Sequence, residues 1–216
     1  MLQSYCYQLR QRGLTLLETM FALAIGALIL LGVMWYYPVV RNNGKMVATV
    51  QMVNSISEAV RAYAQTPNYK PDPNGSFTLQ TLRNSGLLAA NSTKNPWFGA
   101  LVVSTSGNYM GIQFFNVPAA TQATGSVTKV GGICGTLATQ LSNALPFPSP
   151  GNVTLGSTTY TFTNPGTGPY YVQVTKPNGS GGNILIAQSR GAAVCQFSTA
   201  GTPSSTATLT VVLDLS

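Results

Sequence analysis

One carboxylate near the N-terminus stands where acidic groups are rare. Glu18 follows the basic residues Arg10 and Arg12, and residues 19–40 after it carry no formal charge and are mostly apolar. About 20 apolar residues in a helix are enough to cross the hydrocarbon core of a bilayer. An acidic group at the edge of such a segment tends to have a partner or a function. The chemistry open to it there is an ion pair with a cation.

A purely local role for Glu18 is also open. Thr15 and Glu18 have the spacing of a capping box, in which two side chains satisfy exposed N–H groups at the start of a helix. A carboxylate in the first turn also interacts favourably with the helix dipole. Both explanations hold for any simple membrane anchor, so capping alone does not identify a function.

Two of the three cysteines could form a covalent cross-link. Cys6 precedes the apolar segment, whereas Cys134 and Cys195 follow it. If the downstream region is exported, Cys134 and Cys195 can form a disulfide bond; the alternative is a pair of buried free thiols. The chain has no histidine and no CxxC motif, so we expect no metal site and no cofactor.

The remaining polar residues form no recognisable catalytic or nucleic-acid-binding pattern. Without histidine the commonest general base is missing, and the carboxylates Glu58, Asp72 and Asp214 are far apart in sequence. The formal net charge is +7, yet the basic residues are scattered rather than clustered. We therefore expect neither an enzyme nor a specific nucleic-acid-binding protein.

The composition points to the outside of a cell. The 216 residues suffice for one membrane segment and one domain of roughly 150 residues. Charged residues make up 7% of the chain, against roughly 25% in soluble domains. A surface of neutral hydrogen-bonding side chains suits an extracellular protein that packs against copies of itself better than a cytosolic enzyme.

The N-terminal pattern predicts one long helix, Leu14 to Ala64, with a bend or local unwinding at Pro38 and at residues 42–44. The positive-inside rule keeps Arg10 and Arg12 cytoplasmic, so the chain after Val40 lies outside. Past residue 44 a mostly apolar stripe continues at alternating spacings of three and four residues. The stripe consists of Met46, Thr49, Val53, Ile56, Val60 and Tyr63.

The rest of the chain reads as an antiparallel sheet with short helices, and the fold class is α+β. We expect Cys195 to lie in a helix that follows a short strand within residues 183–197. The other predicted elements are a helix within 77–88, a hairpin over 100–117, a helix over 131–145, and strands at 152–164, 170–175 and 206–215.

The N-terminus resembles a known export signal. The segment "RGLTLLETMFALAIGALILLGV" joins a basic stretch ending in Gly13, then Leu14, a carboxylate at the fifth residue from Leu14, and a long apolar helix. This combination resembles the class III signal of type IV prepilins and looks most like a type IVb pilin. The resemblance implies that a membrane prepilin peptidase cuts between Gly13 and Leu14, and that Leu14 is then N-methylated.

The resemblance also implies an organisation of the chain. Residues 1–13 would be a cytoplasmic leader, and residues 14–65 the long helix, with 14–40 as membrane span and later filament core and 41–65 as its amphipathic half. Residues 66–216 would be an extracellular head. In a homopolymer built by inner-membrane pilus assembly machinery, Glu18 would pair with the Leu14 amine of a neighbouring subunit, since an unpaired buried charge is costly.

Two later segments extend the resemblance. "KNPWFGAL", residues 94–101, is similar to the Asn-Pro-aromatic-Gly segment that leads into the sheet of type IVb pilins. Cys134 and Cys195 are placed as in that family, where a disulfide bounds the surface-exposed D-region, here residues 134–195.

The expected role is therefore a pilus subunit for adhesion, aggregation, DNA uptake or donor–recipient contact in conjugation. The subunit would sit in the bacterial inner membrane before assembly and in an extracellular filament afterwards. The alternatives are a minor pilin, a secretion-system pseudopilin, and a membrane-anchored adhesin that does not polymerise.

Overall fold

A computed structural model describes residues 16–66, 78–89, 94–124, 127–163, 171–177, 183–197 and 205–215. The helices formed by those residues are α1 (Leu16–Ala64), α2 (Leu79–Asn84) and α3 (Gly132–Ala144). The strands are β1 (Leu101–Ser106), β2 (Tyr109–Pro118), β3 (Ala120–Thr124), β4 (Val127–Gly131), β5 (Gly151–Leu155), β6 (Thr158–Thr163), β7 (Tyr171–Pro177), β8 (Asn183–Arg190), β9 (Ala193–Gln196) and β10 (Thr206–Asp214). The predicted α+β class, a long N-terminal helix with antiparallel sheets, is confirmed.

Helix α1 runs through both of its predicted weak points. Pro38 lies inside it, and residues 42–44 are helical as well, so the prediction of local unwinding is wrong. A proline removes one backbone hydrogen bond, and a 49-residue helix retains the bonds on either side. The chain nevertheless divides at this place into two compact units, Met1–Asn43 and Gly44–Ser216.

The predicted stripe on α1 is the part of the helix that enters the core of the second unit. Thr49, Val53, Ile56 and Val60 are buried, and the terminal members of the stripe, Met46 and Tyr63, pack against the same core while partly buried. The spacing of three and four residues places all of them on one helix face.

The final strand lies at the centre of a four-stranded antiparallel sheet with the order β1-β2-β10-β9. Alternate residues of β10 enter two different cores, as the period of two in a strand requires. Leu209, Val211 and Leu213 pack with α1, α2 and α3, whereas Val212 belongs to a second cluster. The central sheet is therefore covered on both faces.

A second antiparallel sheet, with the order β5-β6-β7-β8, supplies the other layer. Its Tyr160, Phe162 and Val174 form the second cluster together with Val194 and Val212 of the central sheet. The two sheets approach closely at Gly111, where an added Cβ would overlap the side chain of Leu155. The layers of the second unit are thus helices, central sheet and second sheet.

Two of the sequence expectations need correction, and one hairpin has no counterpart among them. Residues 183–197 contain two strands, β8 and β9, and Cys195 lies in a strand rather than in a helix. Gly191, at φ +87°, lies between them, where the chain passes from the second sheet to the central sheet. Strand β9 pairs with β10 with both of its faces buried. In place of the single strand expected at 152–164, β5 and β6 form a hairpin, with its turn at Gly156. The hairpin of β3 and β4 was not expected at all.

The other predicted elements are confirmed with small shifts in their ends. The helix within 77–88 is α2, and Gly86, with φ +75°, follows it. The hairpin over 100–117 consists of β1 and β2 with Gly107 in its turn. The helix over 131–145 is α3, and the strands at 170–175 and 206–215 are β7 and β10.

Candidate functional site

The start of α1 places Glu18 in its first turn. The Glu18 side chain is exposed, and the neighbouring Thr19 hydroxyl donates a hydrogen bond of 2.8 Å to the carbonyl of Leu16. Gly13, Leu14 and Thr15 lie outside the described residues, as does the rest of the predicted leader. A carboxylate at this position interacts favourably with the helix dipole.

The apolar side chains of α1 up to residue 40 are exposed. By length and composition, α1 can cross a membrane, and the most apolar stretch of it buries no residue within the chain. The exposed large side chains are Leu16, Leu17, Met20, Phe21, Leu23, Ile25, Leu28, Ile29, Leu30, Leu31, Val33, Met34, Trp35, Tyr36, Tyr37, Val39 and Val40. An exposed apolar surface of this extent requires lipid or other protein chains around it.

One face of this helical segment carries a shallow apolar groove. Its lining residues are Ile29, Gly32, Val33, Tyr36, Tyr37 and Val40. They recur at the three- and four-residue spacing of a single face, and a Cβ added to Gly32 would contact nothing. Small residues of this kind let a second helix approach the backbone closely. We call these six residues the Gly32 groove.

The segment that leads into β1 is organised by the buried amide of Asn95. Its Oδ1 accepts hydrogen bonds from the backbone N–H groups of Trp97 and Gly99, at 2.8 and 3.1 Å. Its Nδ2 donates to the carbonyls of Ala100 and Phe115, at 3.2 and 2.6 Å. A Cβ at Gly99 would overlap the Phe115 carbonyl, so this turn requires both the asparagine and the glycine.

This turn holds Trp97 against the amphipathic part of α1. The indole Nε1 donates to the hydroxyl of Thr49 at 3.2 Å, and Thr49 in turn donates to the carbonyl of Lys45 at 2.8 Å. The Lys45 ammonium lies 5.1 Å from the Trp97 ring centroid and 4.9 Å from that of Phe98. Such cation–π contacts contribute about 0.5–1 kcal/mol each. The first turns of α1 in the second unit are therefore fixed to the sheet.

Cys134 of α3 and Cys195 of β9 are joined by a disulfide bond. Their Cα atoms are 5.9 Å apart, and both residues are buried. The chain between them includes the whole of the second sheet. The disulfide therefore closes a loop whose ends are both packed in the core formed by the helices and the central sheet.

A buried polar cluster joins the two sheets. The hydroxyl of Tyr160, on the second sheet, lies 3.1 Å from the hydroxyl of Thr210 and 3.2 Å from the amide nitrogens of Gln113 and Gln196. Burial raises the pKa of Tyr160 above its usual value, and these hydrogen bonds partly oppose that effect. The cluster holds the disulfide-bounded loop in one position against the central sheet.

The described carboxylates are not brought together. Glu58 is exposed on α1, while Asp214 accepts hydrogen bonds from the backbone N–H and hydroxyl of Ser149, at 3.1 and 2.7 Å. Burial and the charge of Asp214 raise the pKa of Tyr109, whose hydroxyl donates to the carbonyl of Ser149. Asp72 is not among the described residues. Asp214 thus helps to position a loop.

Several of these contacts could not be identified from the sequence. The pairing of Trp97 with Thr49 joins residues 48 positions apart, and Tyr160 contacts Thr210 across 50 positions. Their residue types carry no motif. The segment around Asn95 was recognised only by its resemblance to a family pattern, which gave no role for its side chain.

One comparison with known proteins gives a match. Residues 8–34 match the family model of the prokaryotic N-terminal methylation motif. Searches of curated proteins and of solved structures find no significant match to the chain. The motif supports a type IV pilin-like prepilin leader and the context of a prepilin peptidase substrate, and with the apolar helix it suggests membrane anchoring before assembly.

Proposed function

We propose that this chain is a structural pilin subunit that polymerises into a type IV pilus of the type IVb class. The observation that carries the proposal is the methylation motif over residues 8–34, which includes the first part of α1, where the large apolar side chains are exposed. Cleavage between Gly13 and Leu14 removes residues 1–13, and Leu14 is then N-methylated. Residues 14–65 form the long helix and residues 66–216 the extracellular head.

Glu18 supplies the electrostatic part of assembly. Cleavage creates a cation at the Leu14 amine, and both charged groups enter a low-dielectric environment when subunits stack their helices. An unpaired buried charge costs several kcal/mol, whereas a paired one is tolerated. Glu18 of an incoming subunit pairs with the Leu14 amine of its neighbour and so sets the axial register of the polymer.

The Gly32 groove supplies the helix–helix packing that assembly requires. Helix association in a membrane or a filament core depends on close packing, because the surroundings are as apolar as the helix itself. A groove lacking a side chain at Gly32 accepts an apolar side chain of a neighbouring helix. The ion pair and the groove lie on the same helical segment, residues 14–40.

The head forms the outer surface of the filament. The disulfide-bounded D-region, residues 134–195, carries the second sheet, which covers the face of the central sheet opposite the helices. That position favours the D-region as the outward face. The role of the filament is mechanical: adhesion, aggregation or donor–recipient contact in conjugation. The subunit's partners are identical subunits, the prepilin peptidase and the inner-membrane pilus assembly machinery.

Two substitutions separate the assembly role of Glu18 from local helix capping. Glu18→Val removes the charge and the hydrogen-bonding oxygens, whereas Glu18→Gln removes only the charge, and glutamine serves in a capping box as well as glutamate does. Because breaking a buried ion pair costs about 3–5 kcal/mol, we expect both variants to remain in the membrane fraction and to be lost from filaments sheared off the cells.

Each possible result has a distinct meaning. If Glu18→Gln assembles like the wild type while Glu18→Val does not, the residue acts as a cap and the ion-pair mechanism is wrong. If both variants reach the sheared fraction normally, Glu18 has no role in assembly and the ion-pair mechanism is again wrong. If the wild-type protein never reaches the sheared fraction, the polymer itself is wrong. The chain would then be a membrane-anchored adhesin.

A further inference from the structure

Three consecutive aromatic residues lie near the end of the exposed apolar part of α1. Trp35, Tyr36 and Tyr37 are 86%, 67% and 63% exposed. They are followed by Pro38 and then, at Arg41, by the first charged residue after Glu18. We call residues 35–37 the aromatic triplet. Its exposure shows that the triplet does not belong to the folded core of the chain.

The triplet surrounds the helix instead of lying along one face. Successive residues of a helix are about 100° apart, so the three side chains extend over about 200° of the circumference. A helix that packs against one partner presents a stripe at spacings of three and four residues. The Gly32 groove is such a stripe, and it includes Tyr36 and Tyr37 but not Trp35. An environment that encloses the helix accounts for all three residues.

The chemistry of the triplet identifies that environment. Tryptophan and tyrosine each combine an apolar ring with one polar N–H or O–H group. In membrane proteins they concentrate at the boundary between hydrocarbon and headgroups, where the ring is in an apolar environment and the polar group finds hydrogen bonds. Leucine or phenylalanine would serve equally well in the hydrocarbon core, and polar residues would serve in water.

The position of the triplet along the helix fits the thickness of a bilayer. From Leu16 to Trp35 there are 19 steps, or about 29 Å at about 1.5 Å each, against a hydrocarbon core of about 30 Å. Arg10 and Arg12 keep the other end cytoplasmic. Arg41 lies six steps beyond Trp35, about 9 Å further out, where its charge reaches headgroups and water.

We propose that the aromatic triplet anchors the unassembled subunit at the outer lipid–water interface and so sets the depth of α1 in the membrane. The partner is the headgroup and carbonyl region of the phospholipids. This inference rests on the membrane stage of the proposed function and does not depend on polymerisation. It places Glu18 at the cytoplasmic edge of the bilayer before assembly.

Tryptophan fluorescence can measure this depth directly, because the chain contains two tryptophans, Trp35 and Trp97. The Trp97→Phe variant, reconstituted at full length into phospholipid vesicles, reports on Trp35 alone. Vesicles carry bromine-labelled lipids, with the label either near the headgroup or near the end of the acyl chain. We expect stronger quenching by the shallow label and a depth about 15 Å from the midplane, half of the core thickness.

A matched control places the probe deeper in the same helix. The variant Leu28→Trp, made together with Trp35→Phe and Trp97→Phe, moves the tryptophan seven residues back, about 10 Å towards the midplane. The deep label should quench it more strongly. If Trp97→Phe disturbs the head, the wild-type protein serves instead, since buried Trp97 contributes a constant, unquenched signal.

Which of the two labels quenches Trp35 more strongly determines whether the proposal holds. Stronger quenching of Trp35 by the deep label, or equal quenching by both, would overturn it. Absence of quenching both for Trp35 and for the tryptophan of the Leu28→Trp control would also overturn the proposal, because the helix would then not cross the bilayer. A failure of filament assembly in cells would leave the measured tryptophan depths in the vesicles unchanged. The interfacial anchor and the polymer can therefore be refuted independently of each other.

Discussion

The two halves of α1 share one secondary structure and have opposite environments. In residues 16–43 the large apolar side chains are exposed, from 50% at Val39 to 86% at Trp35. In residues 44–64, Val53, Ile56 and Val60 are fully buried. Folding of the chain explains the apolar residues of the second half. It leaves those of the first half unexplained, and under the proposed function lipid and neighbouring subunits account for them.

The comparison shows that helix formation and burial are determined separately. Local propensity and the long apolar run produce helix across Pro38 and residues 42–44. Burial begins only beyond that point, where the stripe of the second half meets the central sheet. Substitutions in the two halves should therefore affect different measurements: assembly or membrane depth for the first half, and the stability of the head for the second.

The largest expected effect concerns the disulfide of the head. Replacing Cys134 and Cys195 by serine together removes a cross-link with a sequence separation of 61. The chain-entropy relation then gives a loss of roughly 4 kcal/mol in the free energy of unfolding. Denaturant unfolding of the detergent-solubilised, unprocessed protein measures it, with Cys6→Ser as the control that removes a thiol but leaves the cross-link in place. An unchanged midpoint in the double variant would contradict the structural role of the bond.

A matched pair of isoleucines tests the comparison within one helix. Ile56 is fully buried and Ile29 is 62% exposed. Ile56→Ala should lower the free energy of unfolding of the head by about 2–5 kcal/mol, because it leaves a cavity. Ile29→Ala should change it by less than about 0.5 kcal/mol, as surface substitutions do, and should reduce filament yield instead. Equal effects of the two on head unfolding would contradict the division of α1.

The smallest expected effect is a change in pH dependence at the buried cluster between the sheets. Burial raises the pKa of Tyr160 in the folded state, so its neutral form contributes stability below about pH 10 that is lost as the pH rises towards the folded pKa. Tyr160→Phe should cost about 1–2 kcal/mol at neutral pH, from lost hydrogen bonds. The difference between wild type and variant should narrow above about pH 10.

Unfolding at a series of alkaline pH values checks this, with Tyr109→Phe as the control. The pKa of Tyr109 is raised too, by burial and by the charge of Asp214, but its side chain is only half-buried. Its variant should therefore change the alkaline slope less. A constant difference in the free energy of unfolding between wild type and Tyr160→Phe across the pH series would contradict a raised pKa of Tyr160 in the folded state.

Much of the fold follows from periodicity in the sequence. The stripe around Val53, the helix α3 and the strand β10 were predicted because each has a clear apolar spacing of its own. Residues 193–197 have none, since a short apolar run fits a helix and a buried strand equally well. These residues form a strand because they pair with β10. Strand β10 lies too far along the chain for a local window of the sequence to include it.

The candidate site likewise contains features that the sequence alone predicts and contacts that only the folded structure shows. Glu18 and the apolar run were recognisable because they are contiguous in sequence and belong to a known signal. The contacts that fix the head onto α1, such as Trp97 with Thr49 and Lys45, depend on tertiary structure and on residue types that carry no motif. The Gly32 groove required helix geometry before its six residues could be seen as one surface.

The central claim, that this chain is processed and assembled, is most directly tested by mass spectrometry of protein sheared from the cell surface. Intact mass and the N-terminal peptide should show a chain that begins at methylated Leu14, with Cys134 linked to Cys195. A chain that begins at Met1, or one that remains wholly in the membrane fraction, would contradict the account.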